Sequence, residues 1–161
     1  MKIDHYEDLT ISTDALEYKF LSVGPKGGIV KIVQFSQTDN MDVYHLAFGN
    51  LMFDGSIDDL IVDDNKDRDK ILATIVTIIY NFCDKYPDKW VFINGSTPQR
   101  TRLYRMALAI YYDELSSDFK IIGMLQDIDS FVYVPFQKGI NYFGFFVKRK
   151  KIKFELWKRK M

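Results

Sequence analysis

The sequence is poor in the residues that form disulfides and metal sites, with one cysteine and two histidines among 161 residues. A lone Cys83 excludes an internal disulfide, and its position in the apolar segment ILATIVTIIYNFC predicts a buried, structural thiol in a reducing compartment. His45 lies in a predicted strand without a second ligand at metal spacing, so we interpret it as a half-buried strand histidine. No metal site is predicted.

Long hydrophobic runs are also missing. The longest apolar stretch is interrupted by Thr74 and Thr77, and the first twelve residues, MKIDHYEDLTIS, are polar and acidic. Both features argue against a membrane span and a signal peptide, and they predict a cytoplasmic protein. With 47% apolar and 16% aromatic residues, the chain contains enough core-forming side chains to fold as a single domain over residues 1–161.

There is no net charge, because 22 basic residues balance 22 acidic ones, but the two signs are segregated along the chain. Residues 1–80 contain 7 Lys and Arg against 14 Asp and Glu, whereas residues 81–161 contain 15 against 8. The extremes are DGSIDDLIVDDNKDRD at 54–69 and KRKKIKFELWKRK at 148–160. Such segregation can steer a polyanion to one face, or it can let opposite-charged faces pair within the chain, with a protein partner or in a homo-oligomer.

Hydrophobic periodicity predicts the secondary structure. A helix with a wide apolar stripe is expected from about residue 67 to Tyr86, with Asp64 or Asn65 as its cap, and a second helix from Pro98 to about Glu114. The predicted strands are 16–21, 29–35, 43–48, 90–93, 119–125, 130–135 and 142–147, followed by a basic edge strand or tail at 148–161. The predicted class is α+β, with a mostly antiparallel sheet in the order βββ-α-β-α-βββ and two main helices packed on it.

The segment GSTPQRTRLYR at 95–105 predicts the start of the second helix and a candidate anion site. Ser96 or Thr97 offers a capping oxygen, and Pro98 fits the first helical position. Unpaired backbone N–H groups at a helix start can bind an anion, and the two hydroxyls add donors. Three guanidinium groups follow within two turns. The predicted ligand-binding residues are Ser96, Thr97, Arg100, Arg102 and Arg105.

The arginines require an explanation, because cations at a helix start oppose the helix dipole. Either an anionic ligand or salt bridges to the acidic segment 54–69 would neutralise them, and the sequence leaves both alternatives open. Arg102 and Arg105 are three residues apart and share a face, whereas Arg100 lies nearer the helix start. Leu103, Ala107 and Ile110 form the predicted inward stripe of the second helix. Tyr104 is expected on the flank of this stripe, where it packs against the core.

Motifs with established chemistry are absent from the sequence. It contains no P-loop, no dinucleotide-binding fingerprint and no nucleophile-elbow serine, so no cofactor and no catalytic residue is predicted from motifs. The acidic run that includes Asp58, Asp59, Asp63 and Asp64 lacks the EF-hand spacing and its glycine. We interpret it as a solvated loop.

Four segments together carry a family resemblance: YKFLSVGPKGG, YHLAFG, DRDKILATIVTIIYNFCDKYPDKWVF and GSTPQRTRLYRMAL. They resemble a family of uncharacterised single-domain bacterial proteins found mainly in Bacteroidetes, over most of residues 15–148. This resemblance implies no activity.

A second resemblance concerns the predicted order of elements and the pair Leu103-Tyr104. Both are similar to the GCN5-related N-acetyltransferases, in which a tyrosine of the last helix protonates the departing thiolate of coenzyme A. The resemblance implies acetyl-CoA as a ligand and Tyr104 as a catalytic acid. The loop before the first helix departs from that family, because DDNKDRDK is acidic and lacks the glycines that receive pyrophosphate.

Two functional hypotheses follow. The first is a binding or regulatory module whose basic site holds a phosphate-bearing ligand such as a nucleic acid, with help from the basic tail and from exposed aromatic residues that can stack bases. The second is a divergent acyltransferase that uses Tyr104 as general acid.

Overall fold

The computed structural model describes residues 4–60 and 64–151, which form one mixed sheet and three helices. The helices are α1 (Arg68–Lys85), α2 (Pro98–Ile110) and α3 (Tyr112–Asp118). The strands are β1 (Thr10–Ile11), β2 (Glu17–Gly24), β3 (Gly27–Gln37), β4 (Val43–Leu51), β5 (Ile57–Asp58), β6 (Trp90–Ile93), β7 (Phe119–Gln126), β8 (Phe131–Pro135) and β9 (Gly144–Arg149). The predicted α+β class and element order are confirmed, with two short strands and one short helix in addition.

Within the sheet the strands follow the order β1-β2-β3-β4-β6-β9-β7-β8, and β5 pairs with β4. Among the described strands, β4 and β6 form the single parallel pair, and all other neighbours are antiparallel. Parallel neighbours require a crossover connection, and the chain supplies it through α1. The carboxyl ends of β4 and β6 therefore lie at the same edge of the sheet, where ligand sites of open α/β sheets are commonly found.

The helices share one face of the sheet. Phe82 of α1 stacks on Phe35 of β3, with ring centroids 4.0 Å apart. The buried apolar residues of all three helices belong to one core cluster with inward apolar residues of the strands. Cys83 is fully buried in that cluster, as predicted, and burial raises the pKa of its thiol to about 12. None of the helices in the described part of the chain is long and apolar enough to cross a membrane.

The chain differs from the prediction in two places beyond the short additional elements. The second helix was expected to run to about Glu114, but it ends at Ile110, and Tyr111 (φ −99°, ψ 17°) separates it from α3 while its side chain is buried in the core. Lys148 and Arg149, at which a basic edge strand was predicted to begin, close β9 instead, and β9 is paired on both sides, with β6 and β7. Residues 152–161 of that predicted tail lie outside the described residues.

Candidate functional site

The start of α2 is held by a local hydrogen-bond network. Thr97 is the N-cap, and its hydroxyl accepts a hydrogen bond from the backbone N–H of Arg100 at 3.2 Å, so the predicted cap is confirmed. The hydroxyl of Ser96 donates to the backbone oxygen of Asp59 at 3.3 Å. Gly95 is required here, because a Cβ at this position would overlap the Cβ of Arg100. Both predicted hydroxyls therefore have structural partners.

The three predicted arginines lie on two sides of α2. Arg100 places its guanidinium 5.2 Å from the ring centroid of Phe48, on the side that faces β4. Arg102 and Arg105 line an open groove on the other side, where Arg105 donates to the side-chain oxygen of Asn141. Within residues 4–60 and 64–151, neither Arg102 nor Arg105 forms a salt bridge with a carboxylate. The structure thus separates Arg100 from the other two.

A small pocket of about 160 Å³ lies where β4 and β6 end side by side. His45 of β4 is half-buried, as predicted, and its Nε2 is 3.1 Å from the side-chain oxygen of Asn94, which directly follows β6. Asp59 and Arg100 also line the pocket. It combines a cation, a carboxylate and an imidazole within a volume that accommodates a few heavy atoms.

Tyr104 is the most buried polar side chain of this pocket. It is 4% exposed and packs in the core with Ala107 and Leu108, so the predicted core packing is confirmed, but the side chain points inward and does not lie on the flank. Burial raises the pKa of its phenol, with Arg100 acting in the opposite direction and Asp59 adding to the increase. Among the described residues, no side chain or backbone group is hydrogen-bonded to its hydroxyl. Tyr104 therefore carries its proton at neutral pH.

A larger cleft of about 460 Å³ opens between the starts of α1 and α2 and shares Phe48 and Arg100 with the small pocket. Lys31 enters it from β3, is only 4% exposed, and places its ammonium 2.5 Å from the side-chain oxygen of Asn50. The charged residues that line the cleft are four cations and two carboxylates, namely Lys31, Lys66, Arg68, Arg100, Asp64 and Asp67.

The segment before α1 is unusual because two non-glycine residues adopt left-handed backbone conformations, Asp64 at φ 48° and Lys66 at φ 62°. Asn65 between them is buried and anchors the segment to the β2–β3 hairpin: its side-chain nitrogen donates to Ser22 and to the backbone oxygen of Gly27, and its side-chain oxygen accepts from the backbone N–H of Lys26. This arrangement fixes the wall of the cleft.

Asp67, and neither Asp64 nor Asn65, is the N-cap of α1, and its side chain makes no capping hydrogen bond. Its carboxylate instead accepts hydrogen bonds from the hydroxyls of Tyr6 and Ser22, both at 2.6 Å. The prediction of Asp64 or Asn65 as the cap was wrong. With left-handed backbone on either side of it, Asn65 is bonded to the β2–β3 hairpin, and Asp64 pairs with Lys66. The first N–H groups of α1 consequently have no side-chain cap among the described residues.

Sequence reasoning missed Lys31, Lys66 and Arg68 as lining residues. Lys31 could have been identified from the sequence, because the alternation of β3 places it on the same face as Val33 and Phe35. A lysine on the inward face of a strand is rare and therefore indicates a special environment. The acidic run was predicted to be a solvated loop. Asp63 lies outside the described residues, Asp58 and Asp59 are partly buried, and no group of three acidic, histidine or cysteine side chains in the described part of the chain could hold a metal ion.

The comparisons with known proteins show one match. The sequence profile of a family of unknown function (DUF6934) matches residues 2–150, so the chain belongs to that family. No curated protein and no solved structure matched the chain.

Proposed function

We propose that this member of the DUF6934 family is a binding module that holds a phosphate-bearing ligand in the cleft between α1 and α2. The observation that carries the proposal is the charge of the cleft, which is lined by four cations and two carboxylates, a net charge of +2. Its volume of about 460 Å³ is in the usual range for small-ligand sites, about 300–1,000 Å³.

The two carboxylates offset the cations only partly. The carboxylate of Asp67 already accepts hydrogen bonds from the hydroxyl groups of Tyr6 and Ser22. Asp64 pairs with Lys66 at 3.6 Å, but both side chains are about 70% exposed, at 70% and 69%, and exposed ion pairs of this kind contribute little. The cations that line the cleft therefore exceed its carboxylates by two.

Arg100 is the central residue of this proposal. It lines both the cleft and the small pocket, and its guanidinium is oriented over the ring of Phe48. A planar guanidinium held against an aromatic ring loses little freedom when it binds, and it can form two parallel hydrogen bonds to a phosphate. We expect Arg100 to bind the phosphate group. Lys31, which enters the cleft from β3, should contact a second negatively charged oxygen of the ligand.

The test is isothermal titration calorimetry of ATP and pyrophosphate at low salt. The loss of one charge-assisted hydrogen bond costs about 1.5–3 kcal/mol, so Arg100→Ala should weaken binding at least tenfold. Arg102→Ala is the matched variant, because Arg102 lies on the other side of α2 and lines none of this cleft. It should change binding less than twofold. No heat with either ligand at millimolar concentration, or an equal loss in both variants, would contradict the proposal.

A second candidate function is acyl transfer from acetyl-CoA with Tyr104 as the acid, which the resemblance to the GCN5-related N-acetyltransferases implies. The specific observation in its favour is a buried phenol with a raised pKa, beside the ends of the parallel strands β4 and β6. A phenol that stays protonated suits a proton donor. In addition, Asp64 and Lys66 adopt the left-handed conformations that glycines would favour in a pyrophosphate loop.

Acetyl-CoA separates the two candidates. An acyltransferase would bind acetyl-CoA and release coenzyme A in the presence of amines, and Tyr104→Phe would lower kcat while it leaves acetyl-CoA affinity unchanged. The absence of binding at millimolar acetyl-CoA, with ATP binding intact, would eliminate the acyltransferase and keep the binding module.

A further inference from the structure

The face of the sheet opposite the helices carries a row of aromatic side chains. The register places His45 of β4 opposite Phe92 of β6, and Phe92 opposite Phe146 of β9. Ring centroids in this row are 5.8 Å apart for His45 and Phe92, and 4.8 Å apart for Phe92 and Phe146. Tyr133 of β8 continues the row at 5.8 Å from Phe146, and it is 58% exposed.

No described helix covers this face. The buried apolar residues of α1, α2 and α3 all belong to the core cluster on the other side, and that cluster contains none of the four residues of the row. Phe92 and Phe146 are only partly buried. The row crosses from β4 to β8, which is four strand spacings or roughly 19 Å.

Lysines border the row at one end. Lys148 of β9 lies with its ammonium 5.7 Å from the centroid of the Trp90 ring, and it is directly opposite Lys120 of β7. The alternation of the strands places three lysines and one glutamate on this face, namely Lys19, Lys120, Lys148 and Glu17. The face is therefore positive as well as aromatic.

We infer that this face binds single-stranded nucleic acid. The bases stack on Phe92, Phe146 and Tyr133, and the phosphates contact Lys120 and Lys148. Sheets that recognise RNA stack two or three bases on such aromatic residues, and stacking tolerates any base sequence. A second copy of the chain is a poorer occupant, because two positive faces would repel each other. Phe92, Phe146 and Tyr133 lie on the side of the sheet opposite the cleft at Arg100, so the inference does not depend on the ligand proposed there. His45, at the end of the row, also lines the small pocket and is not assigned a base.

Fluorescence anisotropy of a labelled ten-nucleotide oligo(U), the corresponding oligo(dT) and a duplex of the same length tests the inference. We expect the single strands to bind more tightly than the duplex, with affinity that falls as salt rises. Tyr133→Ala should weaken single-strand binding at least about fivefold. Phe146→Leu, which keeps apolar packing but removes the aromatic ring, should act in the same direction. The matched control is Phe53→Ala, because Phe53 is fully exposed in the turn between β4 and β5 and lies outside the row.

Lysine variants test the phosphate contacts. Lys120→Gln should reduce the slope of log K against log salt by about one unit, whereas Lys26→Gln, an exposed lysine in the β2–β3 turn, should leave it unchanged. Competition distinguishes this site from the cleft: saturating ATP should not displace the oligonucleotide.

Three outcomes would overturn the inference. The first is no binding of any oligonucleotide at low salt, and the second is an equal affinity for duplex and single strand. The third is displacement by polyglutamate together with unchanged affinity in Tyr133→Ala and Phe146→Leu, which would assign the face to an acidic protein partner. Circular dichroism of each variant confirms that any loss of binding is not a loss of fold.

Discussion

Replacement of Asn65 by alanine should destabilise the protein strongly, although Asn65 belongs to a loop. The residue is only 3% exposed, and its side chain makes three hydrogen bonds to the β2–β3 hairpin. Most surface substitutions change stability by less than about 0.5 kcal/mol. Asn65 should behave differently, because it connects the start of α1 to a hairpin that is distant in sequence.

The expected magnitude follows from these bonds. Each net hydrogen bond contributes about 1 kcal/mol, so the loss of three predicts about 3 kcal/mol. The left-handed conformations of Asp64 and Lys66 cost of the order of 1 kcal/mol each, and the loop can relax them once the anchor is gone. Release of up to about half of this strain lowers the free energy of the altered folded state and reduces the loss to about 2–3 kcal/mol. For a domain of this size the corresponding drop in Tm is roughly 4–12 °C.

Urea denaturation followed by circular dichroism measures this loss directly. The matched control is Asn141→Ala, which removes one hydrogen bond with Arg105 at an exposed position and should cost less than about 0.5 kcal/mol. Asn65→Asp sharpens the test, because aspartate keeps the acceptor but adds a negative charge beside Ser22, which already donates to Asp67. The pKa of that new carboxyl should rise, so stability would be lost as pH rises and regained in acid.

A loss below about 1 kcal/mol in Asn65→Ala would refute this reasoning, because the three bonds would then be exchanged for water without cost. The same variant also reports on the cleft. If Asn65 positions the cleft wall, then ATP affinity should fall in a folded sample at low temperature. Unchanged affinity would show that Asn65 is not needed to position Lys66 and Arg68 for the ligand.

Three further predictions concern the stability of the fold and one buried thiol. Gly24→Ala should be strongly destabilising, because its Cβ would overlap the backbone oxygen of Asn65, whereas Gly28→Ala meets only the movable side chain of Leu21; the difference in urea midpoints measures the effect. Cys83 should not react with a thiol reagent at pH 8 in the native protein and should react fully in guanidinium. Because burial raises the thiol pKa from 9.0 to about 12, the stability contributed by the neutral thiol is present below about pH 9 and is lost as pH rises towards 12. Cys83→Ala should therefore flatten the plot of unfolding free energy against pH between about pH 9 and 12. Arg149→Met should cost about 1–2 kcal/mol in urea denaturation, because the guanidinium pairs with two carboxylates and lies 5.4 Å from two aromatic rings; an unchanged midpoint would mean that methionine packing replaces these contacts.

The sequence predicted the helices and strands well where one periodicity dominates. Helix α1 and strand β6 lie within a residue of their predicted bounds. The apolar stripe and Pro87 define α1, and the polar residues on both sides define β6. The break at Tyr111 was not predictable from the pattern, since apolar residues continue through it at helical spacing. Its position depends on the burial of the Tyr111 side chain in the core, a tertiary interaction.

The candidate site was predictable only in part. Thr97 and Pro98 identified the start of α2 correctly, since capping is a local interaction. The cations of the cleft come from three separate segments of the chain, and no local pattern brings Lys31 of β3 beside Arg68 of α1. The left-handed conformations of Asp64 and Lys66 were equally hidden, because neither residue type signals a positive φ in the way that glycine does.

The position of each arginine on α2 determines which cavity its guanidinium lines. Successive helical residues are 100° apart, so Arg100 and Arg102 point in directions that differ by roughly 160°, whereas Arg102 and Arg105 differ by only about 60°. Arg100 therefore faces the cleft, whereas Arg102 and Arg105 face the groove on the other side of α2. Arg100 meets the cleft because Gly95 lets α2 approach the end of β6 closely, and Phe48 then supports the guanidinium from β4. Substitution of Gly95 should therefore disturb ligand binding through Arg100 before it affects the groove at Arg102 and Arg105, and titration of ATP into Gly95→Ala, with its circular dichroism spectrum as control, measures that displacement.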